Sequence, residues 1–316
     1  MRSESSNPKG DLLVIVGPTA VGKTALSLSL AREFQGEVIS GDSMQVYRYM
    51  DIGTAKASQE ERAVVPHHLI DQVDPDVPFS VEEFQQRAQE KIEEVQVRGH
   101  LPMLVGGTGL YIQSVTHGYR LPGVREDPRF REELHQLADR EGNEVLHQRL
   151  QSVDPEGAAR LHPNDRRRVI RALEIFRVTG KPLTEVQTQT PPPYQMLWIG
   201  LTMPRDRLYE RVNLRVDQMM AAGLLHEVEE LRERGYHRGL VSMQALGYKE
   251  LMGYLEGEFS LEEAVDQIKQ RTRKFAKRQL SWFRRLSMIH WFDVTRENSG
   301  KEILALVAGN FPQYKE

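Results

Sequence analysis

The sequence predicts an α/β fold in which a parallel β-sheet is flanked by helices and an all-helical domain is inserted into the chain. Short apolar runs rich in β-branched residues alternate with helical patterns along most of the 316 residues, and this alternation is typical of a parallel sheet wound with helices. Between residues 122 and 194 it gives way to charged, helical sequence bounded by turn-prone segments. We therefore expect a core domain at residues 11–121 and 195–316, a helical insertion at 122–194 and a flexible N terminus at 1–10.

Five apolar segments predict the strands of this sheet. Each is short and bounded by turn residues, as expected for strands buried on both faces. In chain order the predicted strands are Asp11–Val16, Glu37–Gly41, Leu101–Val105, Met196–Leu201 and Ile289–Val294. The longest helical patterns of the core lie at residues 22–34, 81–98, 206–234 and 260–285.

Composition and charge exclude several classes of protein. No apolar run is long enough to cross a bilayer, and the polar N-terminal residues do not form a secretory signal. The absence of cysteine excludes disulfides and thiolate-bound zinc. We expect a cytoplasmic protein, and a monomer. The net charge of −3 gives no general affinity for nucleic acid, but residues 267–291 contain eight Lys or Arg and no acidic residue.

One glycine-rich segment predicts a phosphate-binding loop. Gly17-Pro-Thr-Ala-Val-Gly-Lys-Thr24 matches the P-loop pattern and lies between a predicted strand and a predicted helix, as the pattern requires. Backbone N–H groups of such a loop face an anion, Lys23 reaches its oxygens, and the Thr24 hydroxyl can bind a Mg²⁺ ion that bridges them. The core is thus predicted to be P-loop NTPase-like, with a diphosphate or triphosphate as ligand.

The third predicted strand lacks the acidic residue that P-loop kinases and NTPases place at its end. It ends in Val105-Gly-Gly-Thr-Gly109, where a metal-binding aspartate is expected. The hydroxyl of Thr108 cannot replace a carboxylate, but it can donate a hydrogen bond to a leaving phosphate oxygen. Taken alone, Thr108 is more typical of a turn residue.

An acidic residue follows the second predicted strand, on the edge of the sheet where open α/β folds bind ligands. Asp42 lies there, followed by Ser43 and by Gln45, whose amide suits the edge of an adenine. Asp42 alone would also fit a helix cap. Together with Lys23 and Thr108, it gives an acceptor, a cation and a hydroxyl donor that converge on one reacting centre.

Several motifs along the chain together resemble the bacterial tRNA dimethylallyltransferase family, also called tRNA isopentenyltransferases. Beside the P-loop and the Val105–Gly109 turn, the motifs are Asp42-Ser-Met-Gln-Val-Tyr47, Asp51-Ile-Gly-Thr-Ala-Lys56, Gly106-Gly-Thr-Gly-Leu-Tyr111, His162-Pro-Asn-Asp165, Arg171-Ala-Leu-Glu174, Gly180-Lys-Pro-Leu-Thr184, Met219–Val228 and Gly247-Tyr248. The resemblance implies transfer of a dimethylallyl group from dimethylallyl diphosphate to N6 of adenosine 37 in tRNAs that read codons beginning with U. The chain lacks the zinc finger of eukaryotic relatives, which favours the bacterial type.

The resemblance also implies roles for individual residues. Asp42 would accept the proton of the adenine amine, Thr108 would hydrogen-bond the bridging oxygen of the leaving diphosphate, and Arg215 would stabilise its charge together with Lys23 and a Thr24-bound Mg²⁺. The residues expected to bind the diphosphate are Gly17, Thr19, Ala20, Val21, Gly22, Lys23 and Thr24.

Two basic clusters are candidates for binding the tRNA anticodon stem-loop, although either one alone could be a solvated helix face. One lies in the insertion, at Arg166–Arg168 and Arg171. The other precedes Trp282 and Phe283, whose rings could stack on an unpaired base. With the residues that the resemblance adds, the expected tRNA contacts are Asp42, Ser43, Met44, Gln45, Thr108, Arg131, Arg167, Arg168, Arg171, Gly247, Tyr248, Arg273, Lys274 and Arg278.

Three other activities are compatible with a P-loop in this setting. A small-molecule kinase would use ATP and need no RNA. An isopentenyltransferase acting on free adenine nucleotides would need neither the insertion nor the basic C-terminal helix. An RNA-binding NTPase would need a residue that positions water, and none presents itself next to a metal-binding aspartate.

Overall fold

A computed structural model describes residues 10–120, 123–124, 126–190 and 192–315. The described chain forms two compact units, one extending to Val115 and resuming at Pro193, the other comprising Thr116–Pro192. The predicted flexible N terminus lies outside the described residues except for Gly10, and so does the predicted domain boundary at 121–122.

The first unit is built on a six-stranded sheet whose neighbouring strands all pair in parallel, in the order β3-β2-β4-β1-β7-β8. Its strands are β1 (Gly10–Val16), β2 (Gly36–Ser40), β3 (His67–His68), β4 (Leu101–Gly106), β7 (Tyr194–Thr202) and β8 (His290–Asp293). This confirms the predicted fold class. All five predicted strands are present, and the two-residue edge strand β3 is an addition that is too short for an apolar pattern to indicate.

Helices cover both faces of the sheet because successive residues of a strand point to opposite sides. In β1, Leu13 and Ile15 pack in one apolar cluster with Phe34 and Val307, whereas Leu12, Val14 and Val16 pack in another with Phe84 and Ile112. The helices of this unit are α1 (Lys23–Glu33), α2 (Gln59–Val64), α3 (Val81–Val97), α4 (Gly109–Thr116), α10 (Arg205–Ala221), α11 (Leu224–Glu233), α12 (Tyr248–Leu255), α13 (Leu261–Phe283) and α14 (Ser299–Asn310), with 3₁₀ turns at Ser242–Gln244 and Pro312–Tyr314.

The helical pattern at residues 206–234 forms two helices, where the sequence predicted a single segment. Helix α10 ends at Ala221 and α11 begins at Leu224. Between them Gly223 has φ +99°, a left-handed conformation that ends a helix and favours glycine. The turn lets α10 and α11 pack with α12 and α13 around a third apolar cluster, which includes Met50, Leu231 and Ile268.

The described part of the second unit is helical apart from one short antiparallel pair of strands. Its helices are α5 (Pro128–Glu141), α6 (Asn143–Val153), α7 (Pro155–Arg160), α8 (Arg166–Thr179) and α9 (Leu183–Val186), and the paired strands are β5 (Tyr119–Arg120) and β6 (Thr188–Gln189), which lie at the two ends of the unit. Leu134, Leu146, Leu150 and Val169 form the centre of its own apolar cluster. Across the described residues, no helix combines the length and apolar character needed to span a membrane.

A buried carboxylate ties the amino end of β2 to its surroundings. Glu37 is 3% exposed, and Arg98 donates two hydrogen bonds to it at 3.0 and 2.7 Å. The ring nitrogens of His68 and His100 lie 2.6 and 2.7 Å from its oxygens. Burial by itself would raise the pKa of Glu37, but the hydrogen bonds from Arg98, His68 and His100 outweigh it and lower the pKa to about 2.

Replacing this carboxylate should destabilise the first unit in a pH-dependent way. Because its pKa is about 2 in the fold and 4.5 ordinarily, ionised Glu37 adds roughly 3 kcal/mol of stability above pH 4.5, which is lost as the pH falls through 2. Glu37→Gln should therefore lower the free energy of unfolding by about 2–3 kcal/mol near pH 7 and progressively less below pH 4.5.

Urea unfolding followed by tryptophan fluorescence measures this effect, since Trp198, Trp282 and Trp291 all lie in the first unit. Glu94→Gln is the control, because Glu94 forms an exposed ion pair with Lys91, and little change is expected there. A constant difference between Glu37→Gln and the unaltered chain from pH 7 to pH 3 would contradict the assigned role.

Candidate active site

A cavity of about 580 Å³ opens at the carboxyl edge of the parallel sheet in the first unit. Its walls come from the loops that follow β1, β2 and β4, from the segment 54–57 and from one face each of α10 and α13. Ligands of open α/β sheets bind at this edge. Its charged lining residues are Lys23, Asp42, Lys56, Glu61, Arg211 and Arg215.

The P-loop forms one wall, between β1 and α1 as predicted. Of the residues expected to bind diphosphate, Thr19, Ala20, Gly22, Lys23 and Thr24 line the cavity. Val21 does not, because its side chain is 1% exposed and packs in the core. Gly17 is also outside the lining. The ammonium of Lys23 donates hydrogen bonds to the carbonyl oxygens of Gly17 and Pro18, at 3.0 and 2.9 Å.

Asp42 and Thr108 lie on adjacent loops, because β2 and β4 are neighbours in the sheet. The Thr108 hydroxyl accepts a hydrogen bond from the Ser43 N–H at 3.1 Å, and the Thr108 N–H donates to the carbonyl of Gly41 at 3.3 Å. The carboxylate of Asp42 lines the cavity and accepts a hydrogen bond from the Met44 N–H at 2.9 Å. Thr108 is half-buried and next to Gly106 and Gly107, which line the cavity.

The cations of the cavity are held close to one another. Burial and the charge of Arg215 lower the pKa of Lys23 to about 8, against the opposing effect of Asp42. Burial also lowers the pKa of Arg215. The charge of Asp42 raises this pKa, and the charge of Arg211 lowers it. Lys23 is nevertheless partly exposed, since the cavity mouth reaches its side chain. The electrostatic contacts bring Lys23, Asp42 and Arg215 together, as a site for a polyanion requires.

The structure offers one candidate residue for holding a metal ion in the cavity. In the part of the chain that the structure describes, no group of three or more His, Asp or Glu side chains could hold a metal ion. Thr24, at the start of α1, is exposed and lines the cavity. Its hydroxyl could contribute one ligand to a divalent metal ion that also binds phosphate oxygens.

Three predicted tRNA contacts are engaged within the fold. Gln45 accepts a hydrogen bond from the Ser40 hydroxyl at 2.7 Å and donates to the carbonyls of Thr54 and Ala55, so both ends of its amide have partners within the fold. Gly247 is buried at the start of α12. The Tyr248 side chain is fully buried and therefore offers no surface to RNA.

Two charged residues of this unit, half-buried Glu227 and Lys56, hold the segment after Asp42, a role that the sequence did not reveal. Glu227 accepts hydrogen bonds from the backbone N–H groups of residues 51–53, at 2.9, 2.8 and 3.2 Å, and from the Tyr248 hydroxyl at 2.6 Å. Lys56, whose side chain is 1% exposed, donates to Asp51, Asp71 and the carbonyl of Tyr47. Both lie in motifs quoted above, but the residue types alone do not identify their partners.

The basic face of α13 is divided between internal and exposed residues. Lys269 and Arg271 form ion pairs with Asp217 and Glu250. Of the predicted contacts, Lys274 and Arg278 are exposed, whereas Arg273 donates to Asn213 at 2.6 Å.

The two aromatic residues that follow the basic cluster of α13 differ in burial. Phe283 is fully buried. Trp282 packs against Gly109 and donates to Gln113 at 3.1 Å.

In the helical unit, the predicted arginines fall into two groups. Arg131 and Arg171 both bind the carboxylate of Glu174, which is completely buried. Arg167 and Arg168 are exposed, and Arg168 lies 3.3 Å from Asp165. Arg171 is therefore engaged with a buried carboxylate of the unit, whereas Arg167 faces solvent.

Comparison with known proteins agrees with the motifs. A sequence model of the IPP transferase family matches residues 45–286. The tRNA dimethylallyltransferase of Halalkalibacterium halodurans is 52% identical, with 94% of this chain and 96% of the relative covered, and that of Bacillus subtilis is 50% identical, with 96% and 98% covered.

Solved structures give the same result. The crystal structure of a tRNA isopentenylpyrophosphate transferase from Bacillus halodurans superposes with a TM-score of 0.72 at 50% identity, covering 96% of this chain and 97% of the other. A eukaryotic dimethylallyltransferase acting on tRNA superposes with a TM-score of 0.80 at 30% identity, covering 98% of this chain and 81% of the other. The chain therefore belongs to the IPP transferase family.

Proposed function

We propose that this protein transfers a dimethylallyl group from dimethylallyl diphosphate to N6 of adenosine 37 in tRNAs that read codons beginning with U. The observation that carries the proposal is the single cavity in which Lys23 and Arg215 face Asp42 beside the Gly106–Gly109 turn. The cations suit a diphosphate, and the carboxylate suits a nucleophile that must lose a proton. The names of the relatives support the same reaction.

Each group has a distinct task in this reaction. The bond between the allylic carbon and the bridging oxygen breaks, the bond from that carbon to N6 forms, and the N6 proton passes to Asp42. P-loop amides, Lys23 and Arg215 stabilise the charge that develops on the diphosphate, and the Thr108 hydroxyl donates to its bridging oxygen. Magnesium, held by Thr24 and the phosphate oxygens, would offset part of the same charge.

We propose that tRNA contacts the exposed basic residues of both units. In the first unit these are Lys274 and Arg278, and in the helical unit Arg167 and Arg168. Ser43 and Met44, beside Asp42, are half-buried and would meet the target base. Acting on N6 requires that this base leave its stack. We expect the protein to work in the cytoplasm, with its tRNA substrates.

The transfer reaction can be tested directly, with Asp42→Asn as the decisive variant. Labelled dimethylallyl diphosphate, Mg²⁺ and unmodified tRNA should yield label at N6 of adenosine 37, identified by nucleoside analysis. Asp42→Asn keeps an acceptor for the Met44 N–H but removes the base, so single-turnover transfer should fall about 10²- to 10⁴-fold with little change in tRNA affinity.

Asp76→Asn is the matched control for this prediction, because Asp76 is exposed and outside the cavity lining, and it should transfer normally. Label on free AMP would favour a nucleotide-prenylating enzyme, and ATP turnover without RNA would favour a kinase. Transfer by Asp42→Asn at the rate of the unaltered protein would refute the assigned base.

The lowered pKa of Lys23 predicts that diphosphate binding weakens in alkali. The amine is protonated below its pKa of about 8 and loses its charge above it, whereas an alkyl diphosphate is fully ionised there. Above pH 8, binding must therefore be accompanied by the uptake of a proton by Lys23. The affinity for the diphosphate should then fall by up to about tenfold per pH unit.

Calorimetry of a non-hydrolysable dimethylallyl diphosphate analogue, in buffers of different ionisation enthalpy, measures this proton uptake. Lys23→Met should bind more weakly and show no uptake. Equal affinity of the unaltered protein at pH 7 and pH 9.5 would mean that Lys23 does not bear the diphosphate charge.

Substitutions of arginines in the helical unit should distinguish residues that bind tRNA from residues that stabilise the fold. Replacing exposed Arg167 and Arg168 together by alanine should weaken tRNA binding and reduce the slope of log affinity against log salt by about 0.7–0.9 per lost phosphate contact, without lowering the melting temperature. Arg171→Ala should lower the melting temperature, because buried Glu174 loses a guanidinium partner.

Fluorescence anisotropy at several salt concentrations and circular dichroism on heating measure the two effects. Arg140→Ala, an exposed arginine on α5 of the same unit, serves as the control. An unchanged salt slope in the Arg167 and Arg168 double variant would exclude this surface from tRNA binding.

A further inference from the structure

Gln279 is a buried polar residue in an otherwise apolar stripe of α13. The buried residues of the helix are Ala264, Ile268, Ala276, Gln279 and Phe283, and Gln279 is 6% exposed. An uncharged amide in such a stripe must find partners, because a buried polar group without hydrogen bonds is costly. In the sequence, the signal that could have pointed to Gln279 is a polar residue at a core position of a helical pattern.

Both ends of this amide bind loops of the candidate active site. Its Oε1 accepts a hydrogen bond from the N–H of Thr19 in the P-loop, at 2.8 Å. Its Nε2 donates to the carbonyl of Gly107 in the Gly106–Gly109 turn, at 3.0 Å. The side chain also lines the cavity. The two partners fix the amide orientation, since the reverse orientation would lose both bonds.

These bonds complete a chain of contacts across three loops. Gln279 joins the P-loop to Gly107, and the next residue, Thr108, is joined to Gly41 and Ser43 on either side of Asp42. One turn further along α13, Trp282 packs on Gly109. The position of the Thr108 hydroxyl relative to the P-loop is thus set largely by α13.

We infer that Gln279 is a positioning residue for group transfer, which fixes the distance between the diphosphate cradle and the Thr108 hydroxyl. The inference rests on the proposed function, because it assigns Gln279 an effect through the leaving group. Gln279 would not touch the reacting atoms. Without it, the two loops remain anchored on their own strands, β1 and β4, but they lose the two hydrogen bonds through which one side chain joins their tips.

The geometry leaves little room for another residue at this contact. A methyl group on Gly107 would lie 2.2 Å from Nε2 of Gln279, so the amide packs directly on the turn. Glutamate could accept from Thr19 but could not donate to the Gly107 carbonyl when ionised. Methionine has a similar length and shape but makes neither bond.

A double-mutant cycle between Gln279→Met and Thr108→Ala tests this inference. Both single variants, the double variant and the unaltered full-length protein are compared in single-turnover transfer from dimethylallyl diphosphate to tRNA, at saturating substrates. We expect Gln279→Met to slow transfer about 10- to 100-fold, with tRNA affinity changed less than about threefold. In the Thr108→Ala background the same substitution should cost less than about threefold, because the two residues act on one interaction.

The control is Gln270→Met, an exposed glutamine on the same helix, which should leave the rate unchanged. If Gln279→Met does not fold, Gln279→Glu replaces it in the same cycle, since it keeps the bond to Thr19 and loses the one to Gly107.

Two outcomes would overturn the inference while transfer by the unaltered protein is intact. One is a rate for Gln279→Met within twofold of the unaltered protein. The other is that Gln279→Met slows transfer in the Thr108→Ala background as much as it does in the unaltered protein, as a purely structural role for Gln279 would give. A lack of transfer by the unaltered protein would instead overturn the proposed function.

Discussion

The close approach of two loop backbones is the constraint on which the candidate site depends. A methyl group on Gly106 would lie 2.3 Å from the carbonyl oxygen of Gly41, so only glycine lets the turn after β4 reach the loop after β2. Adjacent strands of a sheet are separated by about 4.8 Å, and side chains at this contact would push Thr108 away from Asp42. The hydrogen bonds of Thr108 to Gly41 and Ser43 form only because this space is empty of side chains.

Charged side chains, together with apolar packing, hold the irregular segment that follows Asp42. Residues 41–57 contain no helix, so their backbone groups need partners elsewhere. Glu227 on α11 accepts hydrogen bonds from three consecutive N–H groups, and Lys56 binds the carbonyl of Tyr47 and the carboxylates of Asp51 and Asp71. The segment also contributes Met50 to the third apolar cluster. It is consequently fixed from several directions, which keeps the proposed catalytic carboxylate of Asp42 in place without regular secondary structure.

The sequence predicted the sheet and the P-loop because both depend on local patterns: apolar runs bounded by glycine, and a fixed motif between a strand and a helix. It also placed Asp42 and Thr108 on one edge, since the ends of parallel strands meet there. It could not predict which polar side chains are satisfied internally. Arg171, Gln45 and Trp282 all have residue types suited to RNA, yet their partners lie in the fold. Such pairings join residues far apart in the chain, as with Thr19 and Gln279, and leave no local pattern.

The strand order gives a physical reason why a P-loop should serve group transfer here. The order β2-β4-β1 places Asp42, Thr108 and the P-loop on three successive strands, about 4.8 Å apart from one strand to the next. Across the sheet, the proposed base comes first, the donor to the bridging oxygen second and the anion-binding loop third. The nucleophile, the breaking bond and the leaving diphosphate follow one another in the same order. A carboxylate at the end of β4 would lie next to the phosphates, where it would bind metal. In the proposed reaction, the carboxylate one strand farther out would lie on the side from which the acceptor amine approaches.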